Sequence, residues 1–248
     1  MRVWDRTSDP DCETMQPMTT RINGFHHLAV NTADMRAQIE FFTDVLGAEL
    51  VGLFWMHGVP GGKHCFLRLN DFCSMSFVDL PANHEIDAEL GVTHAGTGAG
   101  PSAPGTTQHM AFNVDTLDEL RAIRDRIRSR GINVLGDIDH GMCHSIYFAG
   151  PEGLVLEVAS STEAIDADAW IDPEVLELYG MSTADVDRYR NPATYEGEGG
   201  TVAQPAIDPT KPHLAYPPDD YARMMETPDD VILKHASFPD PPNRVSQR

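Results

Sequence analysis

The sequence predicts an α+β protein built from two βαβββ modules that form a partly open mixed β-barrel, followed by an extended acidic C-terminal arm. The first supporting observation is an internal repeat, because the segment HLAVN at residues 27–31 recurs as HMAFN at residues 109–113. The second is that each copy is followed by a helical pattern and then by three short strand-like runs. The third is a change in composition from Ser161 onward, where proline and acidic residues accumulate.

In the first module, apolar residues spaced by four, three and four positions form one face of a predicted helix. They are Met35, Ile39, Phe42 and Leu46. Gly47 follows this face directly and is typical of a left-handed C-terminal stop. We therefore expect the first helix to end at Leu46.

In the second module, the four residues from Thr116 to Glu119 have the pattern of a capping box at a helix N-terminus. Leu120, Ile123 and Ile127 share one face of the helix that follows, and Gly131 is the expected terminator. The second helix is therefore predicted more sharply than the first, at both of its ends.

Three β-like runs follow each helix and complete the two modules. The runs are Glu49–Phe54, Cys65–Leu69 and Ser74–Leu80 in the first module, and Asn133–Gly136, Ser145–Phe148 and Leu154–Ala159 in the second. We expect an N-terminal arm at 1–21, a first module at 22–80, a connector at 81–107, a second module at 108–160 and a C-terminal arm at 161–248.

The connector and the C-terminal arm differ in composition from the modules. The connector is rich in Gly, Ala and Pro, and its length is typical of a loop that could cover a site. The arm contains 11 of the 18 prolines and has 17 acidic against 7 basic residues, a net charge of −10. We expect it to be extended, with two short helices at Asp172–Tyr179 and Thr183–Tyr189.

The overall charge limits the classes of partner. With 38 acidic and 18 basic residues the net charge is −20, which argues against nucleic acid and anionic membrane as partners and favours a small molecule. The sequence has no apolar run long enough for a signal peptide or a membrane span, so we expect a cytoplasmic protein. The four cysteines are scattered without metal-ligand spacing and are expected to be reduced thiols.

Three side chains form a candidate metal-ligand set. His27 and His109 occupy the same position of the two repeats, and Glu157 lies within an apolar strand, where an unpaired charge would be costly. Two neutral imidazoles and one carboxylate can hold Fe(II), Mn(II) or another divalent ion and leave coordination positions open. His26 should point away from His27 if both lie in one strand, and only the repeat register favours His27.

Several segments resemble the ligand strands of the vicinal-oxygen-chelate superfamily, which includes glyoxalases, bleomycin-resistance proteins and type I extradiol dioxygenases. They are FHHLAV at 25–30, QHMAF at 108–112 and GPEGLVLE at 150–157. The resemblance covers about residues 22–160 and implies the glyoxalase/dioxygenase fold. Members of this superfamily include lyases, epimerases, thiol transferases, oxygenases and metal-free binding proteins, so the fold leaves the reaction open.

A narrower resemblance is to the signature of extradiol ring-cleaving dioxygenases, which runs from Ile138 to Glu157. It implies that His140 and Tyr147 contact the substrate or the ligands, while His27, His109 and Glu157 bind the metal ion. It further implies Fe(II), with Mn(II), Zn(II) or Ni(II) as alternatives, an aromatic diol and O2 as substrates, and a homodimer. In this chemistry, hydrogen-bond donors near the bound diol are needed to stabilise charge and to move a proton. His144 is a weaker candidate for that role.

The sequence departs from the extradiol pattern at two places. Gly150 stands where the family usually has an acidic, amide or other small residue. The stretch from Asn70 to Met75 lacks the histidine pair that many of these enzymes have near the end of the first module, and His64 is the nearest replacement.

Two other readings stay open. A glyoxalase-like lyase or an epimerase would need a fourth ligand from the first module, near Val78 or Asp79, and only Asp79 is a carboxylate. An antibiotic-binding or antibiotic-modifying resistance protein is the other alternative.

Overall fold

The computed structural model describes residues 21–242 of the 248-residue chain. Most of the predicted N-terminal arm therefore lies outside the described residues. The chain divides into two compact units. Among the described residues, one comprises Gly24–Ile171 with residues 238–242, and the other comprises Asp172–Ser237 with residues 21–23.

The first sheet contains four strands in the order β1-β4-β3-β2. They are β1 (His27–Asn31), β2 (Glu49–Trp55), β3 (Lys63–Asn70) and β4 (Cys73–Asp79). β1 runs parallel to β4, whereas the β2–β3 and β3–β4 pairs are antiparallel. A parallel first pair requires a crossover, and a helix between β1 and β2 supplies it.

The second sheet repeats this arrangement in the order β5-β8-β7-β6. Its strands are β5 (Met110–Asn113), β6 (Leu135–Asp139), β7 (His144–Ala149) and β8 (Val155–Ser160). The prediction of two βαβββ modules is thus confirmed. Within the described part of the chain each sheet pairs only with itself, so no strand pairing closes the two into a barrel.

Strand β6 begins two residues later than the sequence predicts, at Leu135 instead of Asn133. Val134 precedes the strand, and its apolar side chain is buried in the core. A bulge between Leu135 and Ile138 then interrupts the pairing with β7. The hydrophobic pattern therefore predicts the burial of Val134 correctly and places the start of the paired strand two residues too early.

Each module has one helix between its first and second strands. Helix α1 (Met35–Glu40) continues as a π-helical turn at Phe41–Val45, and helix α2 spans Leu117–Ser129. The predicted stops are confirmed, since Gly47 and Gly131 have φ values of +82° and +78°. The capping box that begins at residue 116 is also present.

Both modules contribute to one hydrophobic core between helices and sheets. The ring of Phe42 lies 5.1 Å from that of Phe77 in the first module and 6.1 Å from that of Phe112 in the second. Leu120 and Ile127 of α2 are fully buried in the same core. Because each sheet turns one side to this core, side chains at alternate positions lie on the opposite side, which we call the open face.

Polar contacts on the helix side add to the contact between the modules. The guanidinium group of Arg126 in α2 donates to the main-chain oxygen of Asp44, with Nη2 at 2.9 Å. Arg130 forms an ion pair with the carboxylate of the same residue, also at 2.9 Å. These contacts hold the end of the first module's helical segment against α2.

The connector contains a short 3₁₀ helix at Pro81–Glu85 and an isolated bridge between Leu90 and His94. Up to residue 242, five helices follow the second module: α3 (Ala167–Trp170), α4 (Pro173–Leu178), α5 (Thr183–Arg190), α6 (Pro218–Glu226) and α7 (Asp229–Ala236). Helices α4 and α5 confirm the two predicted in the C-terminal segment, whereas α3, α6 and α7 were not predicted. The domain boundaries and the extended arm stay predictions. Between residues 21 and 242, no helix is long and apolar enough to cross a membrane.

Replacing Leu120 by Ala should lower the free energy of unfolding by about 2–5 kcal/mol, because this fully buried side chain joins α2 to the shared core. Urea unfolding followed by circular dichroism measures the change. The same substitution at Leu53 is the control, since that side chain is 55% exposed. Equal losses for the two variants would contradict the central position of Leu120.

Candidate metal centre

Glu157 is a buried carboxylate in the middle of β8. Its neighbours Leu156 and Val158 face the core, so Glu157 faces the open side of the second sheet, where only 5% of the residue is exposed. The register of the strands puts Ala111 and Tyr147 on either side of it. A carboxylate so poorly hydrated requires a positively charged or hydrogen-bonding partner.

His109 supplies that partner from the residue immediately before β5. Its Nε2 lies 2.9 Å from Oε2 of Glu157. The contact follows from the fold, because β5 and β8 are parallel neighbours and the histidine precedes the first paired residue of β5. Two residues that are 48 positions apart in the chain, and that are predicted to be ligands of one ion, are therefore adjacent in space.

Gln108 fixes which nitrogen of His109 carries the proton. The amide Nε2 of Gln108 donates to the main-chain oxygens of Thr97 and Gly100, at 3.1 and 3.4 Å. The amide oxygen must therefore be the atom that faces Nδ1 of His109, with which it is in hydrogen-bond contact. Nδ1 then donates the hydrogen bond, which leaves Nε2 to face Glu157. A proton on Nε2 would pair with that carboxylate in the metal-free protein, and in the neutral ring the Nε2 lone pair would be free to bind a cation placed between the two side chains.

This pair has the geometry of two adjacent ligands of one metal ion. Imidazole nitrogen and carboxylate oxygen bind divalent ions at about 2.0–2.2 Å, so donors at a right angle are separated by roughly 3 Å. The observed separation of 2.9 Å agrees with that value. In metal sites the second ring nitrogen of a ligand histidine usually donates a hydrogen bond to a nearby acceptor, and here Gln108 is that acceptor. The residues present therefore fit a divalent ion.

Tyr147 and His140 extend the cluster along the open face of the second sheet. Nε2 of His140 lies 3.1 Å from the hydroxyl of Tyr147, and the Tyr147 ring centroid is 6.2 Å from that of His109. Burial raises the pKa of Tyr147, and the negative charge of Glu157 raises it further. The structure thus brings together four of the five residues predicted for the site.

His27 is the predicted ligand that lies apart from this cluster. It begins β1 and is exposed, with its Nδ1 2.9 Å from Nδ1 of His26. Across residues 21–242, no group of three His, Cys, Asp or Glu side chains could hold a metal ion together. The role of His27 as the third ligand stays a prediction.

The expectation that His26 points away from His27 is wrong, since their rings are in contact. Strand alternation fails here because His26 precedes the first residue of β1 and is not bound by the alternation of a strand.

His64 on β3 lies beside His27, with ring centroids 6.3 Å apart, and packs on Phe66 at 4.5 Å. Burial lowers the pKa of His64, and the neighbouring His27 lowers it further. Its Nε2 is buried and has no hydrogen-bond partner among the described residues. The imidazole of His64 therefore lies on the open face of the first sheet. His64 is the residue that the sequence suggested as a replacement for the missing histidine pair.

The counterpart of Glu157 in the first module is Ser76, and not a residue near Val78 or Asp79 as the sequence suggested. Ala29 pairs with Ser76 in the first sheet as Ala111 pairs with Glu157 in the second. Asp79 lies three residues further on and is occupied, because Lys63 and His84 each bind it at 2.9 Å. Burial would raise the pKa of Asp79, yet these two partners outweigh burial and lower it.

His144 has a different partner from the cluster. Its Nδ1 lies 3.0 Å from the carboxylate of Asp137, on the neighbouring strand β6. Burial tends to raise the pKa of Asp137, but hydrogen bonds, the largest from His144 and a further one from Arg121, lower it. His144 thus takes part in an ion-pair group of β6 and β7.

A cavity of about 660 Å³ adjoins His140 and Tyr147. The connector forms one wall, and there Gly98 passes so close to Tyr147 that a Cβ atom would lie 3.5 Å from the ring. The remaining lining is mainly apolar and includes Leu90, Leu135, Ile138, Phe148 and Leu154. Sequence reasoning did not identify Gln108, Gly98 or this cavity, although the position of Gln108 next to His109 was a signal.

The family profile described as the Glyoxalase/Bleomycin resistance protein/Dioxygenase superfamily matches residues 24–158. That match covers more than half of the chain and all of the candidate site. The chain belongs to this superfamily.

Named relatives of this chain include ring-cleaving enzymes. It is 27% identical over 224 residues to biphenyl-2,3-diol 1,2-dioxygenase 2 of Rhodococcus globerulus, which covers 88% of this chain and 93% of the relative. It is 25% identical over 132 residues to biphenyl-2,3-diol 1,2-dioxygenase 3 of the same organism, covering 53% and 60%. It is 26% identical over 141 residues to the putative ring-cleaving dioxygenase MhqA of Bacillus subtilis (strain 168), covering 54% and 42%.

Solved structures similar to this chain include a glyoxylase/bleomycin resistance protein/dioxygenase domain from Frankia sp. EAN1pec, with a TM-score of 0.44, 12% identity and coverage of 57% of this chain and 99% of the other. Another is TnmS3, an antibiotic binding protein from Streptomyces sp. CB03234, with a TM-score of 0.41, 18% identity and coverage of 57% and 98%.

In the metal-free protein, the substitution Glu157→Gln should lower the pKa of Tyr147 toward that of a free phenol, because it removes the nearby negative charge. The shift is measured by ultraviolet titration of tyrosinate, taking the difference from a Tyr147→Phe protein to isolate this residue. Asp137→Asn is the control, since that carboxylate binds His144 and Arg121 instead. An unchanged pKa in the Glu157→Gln protein would contradict the assigned cause.

The substitution Gln108→Ala should weaken binding of a divalent ion by roughly 10- to 100-fold, because His109 loses the group that fixes its tautomer. Competition with a chromophoric chelator measures the affinity. Thr97→Ala is the control, because Thr97 accepts from Gln108 through its main-chain oxygen, which the substitution retains. Equal affinity in the Gln108→Ala and wild-type proteins would show that the tautomer is fixed in another way.

Proposed function

We propose that this chain is a metal-dependent extradiol-type dioxygenase that cleaves a catecholic aromatic ring, with Fe(II) as the preferred ion and Mn(II), Zn(II) or Ni(II) as alternatives. The observation that carries the proposal is the contact of His109 with buried Glu157, oriented by Gln108 and bordered by Tyr147 and His140. The ring-cleaving activities in the names of its relatives support the same reaction class.

His109 and Glu157 would hold the ion, with His27 as the third ligand from the equivalent position of the first repeat. A bound Fe(II) ion supplies a centre at which a catechol and O2 can meet and exchange electrons. Three protein ligands would leave coordination positions for the two oxygens of the diol. Both atoms of O2 enter the ring-opened product, so the remaining task of the protein is to control protons and water.

Tyr147 and His140 are suited to proton control. A phenol is protonated near neutral pH, and burial followed by the charge of Glu157 raises the pKa of Tyr147 further, so its hydroxyl can donate to a diol oxygen. The Nε2 of His140, 3.1 Å away, can exchange a proton with that hydroxyl. The pair can therefore hold a proton next to the reacting ring.

The apolar cavity provides a place for the carbon skeleton of the substrate. Its volume of about 660 Å³ falls in the range of small-molecule sites, and its few polar groups include His140 and Tyr147 at the boundary with the cluster. An aromatic ring lying between Leu135, Ile138 and the connector would exclude water from the hydroxyl of Tyr147. A homodimer stays a prediction alongside this proposal.

The first-module counterpart of Glu157 argues against the lyase or epimerase alternative. That reaction class would require a fourth protein ligand there, but the equivalent residue is Ser76, whose hydroxyl donates to the main-chain oxygen of Leu28 at 3.3 Å. The only nearby carboxylate, Asp79, is bound by Lys63 and His84. A three-ligand site with open positions is the better account of these side chains.

Anaerobically purified protein should contain Fe(II) and consume O2 when a catechol is added, as measured by metal analysis and an oxygen electrode. The substitutions His27→Ala, His109→Ala and Glu157→Ala should each remove most of the bound iron. Tyr147→Phe or His140→Ala should retain iron and lower kcat by roughly 100-fold or more.

His213→Ala is the matched control, since this exposed histidine bonds to the main-chain oxygen of Lys211 and has no part in the site. Iron content that survives in the Glu157→Ala protein would overturn the ligand assignment. Metal-dependent formation of a thioester from a hemithioacetal, without O2 uptake, would assign the chain to the lyases instead.

A further inference from the structure

Glu152 lies in the turn before β8, in the second module, but its carboxylate is bound entirely by the first module. The main-chain nitrogen of Ala33 donates to Oε1 at 2.7 Å, and Nε2 of Gln38 donates to Oε2 at 2.7 Å. The hydroxyl of Thr32 donates to Oε2 as well. Thr32 and Gln38 are 2% and 0% exposed, so these bonds satisfy polar groups that water cannot reach.

The backbone of Glu152 adopts a conformation that disfavours a side chain. Its φ of +55° lies in the left-handed region, and within the described residues no other residue apart from glycine has a positive φ. Glycine would fit this position more easily, as it does at Gly153 next to it. The strain is therefore offset by what the carboxylate binds.

The contact has a defined relation to the candidate metal centre. Thr32 lies five residues after His27, and Glu157 lies five residues after Glu152. β1 ends at the contact and β8 begins just after it, so the contact joins the end of β1 to the start of β8, while strand pairing fixes the register within each sheet. Metal coordination tolerates an error of about 0.2 Å, so even a small shift of one sheet relative to the other would disturb ligands that come from both.

The equivalent pair of elements in the repeat is the β3–β4 turn and the end of β5, and among the described residues no such carboxylate contact joins them. There the β3–β4 turn bonds within itself, with the Phe72 nitrogen donating to Oδ1 of Asn70 at 2.9 Å. Helix α2 is capped by Thr116 and Glu119 of its own module. A cavity of about 660 Å³ lies between that turn and the end of β5. Glu152 therefore supplies a contact that the repeat alone does not provide.

We propose that Glu152 is a positioning residue for the metal centre, which fastens the turn before β8 to the end of β1 and so sets the position of His27 relative to Glu157. This inference rests on the proposed function, because it assumes that both residues bind one ion. Glu152 itself touches neither the ion nor the substrate.

The test compares the full-length proteins Glu152→Ala, Glu152→Gly, Glu152→Gln and wild type for binding of Co(II). Dissociation constants are obtained by competition with a chromophoric chelator, and the visible absorption of bound Co(II) reports the number of nitrogen ligands. Ala and Gly should weaken binding by roughly 10- to 100-fold and change the spectrum as His27→Ala does. Gln retains an acceptor oxygen for Ala33 and should restore part of the affinity.

Glu119→Ala is the matched control, because Glu119 also accepts from a main-chain nitrogen and a threonine hydroxyl, at 3.0 and 3.1 Å, but within one module. It should lower stability and leave the Co(II) affinity within about twofold of wild type. Glycine at 152 relieves the backbone strain, so a purely local role would predict unchanged or tighter binding in that variant.

Wild-type affinity in the Glu152→Gly protein, or an equal loss in Glu119→Ala, would overturn the positioning role while the metal centre itself remains. Absence of Co(II) binding by the wild-type protein would overturn the proposed function, and this inference with it.

Discussion

The buried carboxylate of Glu157 is the constraint around which the second sheet is arranged. A negative charge in the middle of an apolar strand is tolerated only with close partners, and His109 supplies one directly. Burial raises the pKa of Tyr147, and the negative charge of Glu157 raises it further. His109 is in turn hydrogen-bonded to Gln108, whose amide donates to the main chain of the connector. One charge thus connects two strands, a loop and the hydroxyl that adjoins the cavity.

The two modules share a fold and differ in the chemistry of their open faces. At the position of Glu157 the first module has Ser76, which needs no external partner because it bonds to its own sheet. Its face instead contains imidazole and aromatic rings at His27, His64 and Phe66. The two repeats therefore have different open faces, one with a buried carboxylate and one with imidazole and phenyl rings.

The sequence was sufficient for features that depend on local periodicity or on the repeat. Both helices, their glycine stops and the capping box at Thr116 follow from side-chain chemistry within a few residues. The proximity of His109 and Glu157 follows from the order of strands in a βαβββ module, in which the first and last strands are parallel neighbours. Tyr147 and His140 were identified through a motif whose spacing reflects neighbouring strands.

Features that depend on register across strands, or on contacts between distant loops, could not be predicted. The counterpart of Glu157 was misplaced toward Asp79 because a shift of a few residues in β4 leaves the hydrophobic pattern of the sequence almost unchanged. Gln108 and Glu152 lie within the quoted motifs, but their main contacts are with other segments, so the sequence did not reveal what they bind. Helices α6 and α7 were missed because acidic and proline-rich composition was taken as a sign of extended chain.

The bonds that Glu152 makes also bear on how the chain folds during synthesis. Residues 24–80 leave the ribosome well before residue 152 is made, and until then Thr32 and Gln38 lack the acceptor that the finished protein gives them. The nascent first half must keep these groups hydrated, which leaves the end of β1 and the start of α1 open to water. The contact of Glu152 with Thr32 and Gln38 can therefore form only after the second half has been made. An isolated N-terminal fragment would retain a hydrated, incompletely packed edge.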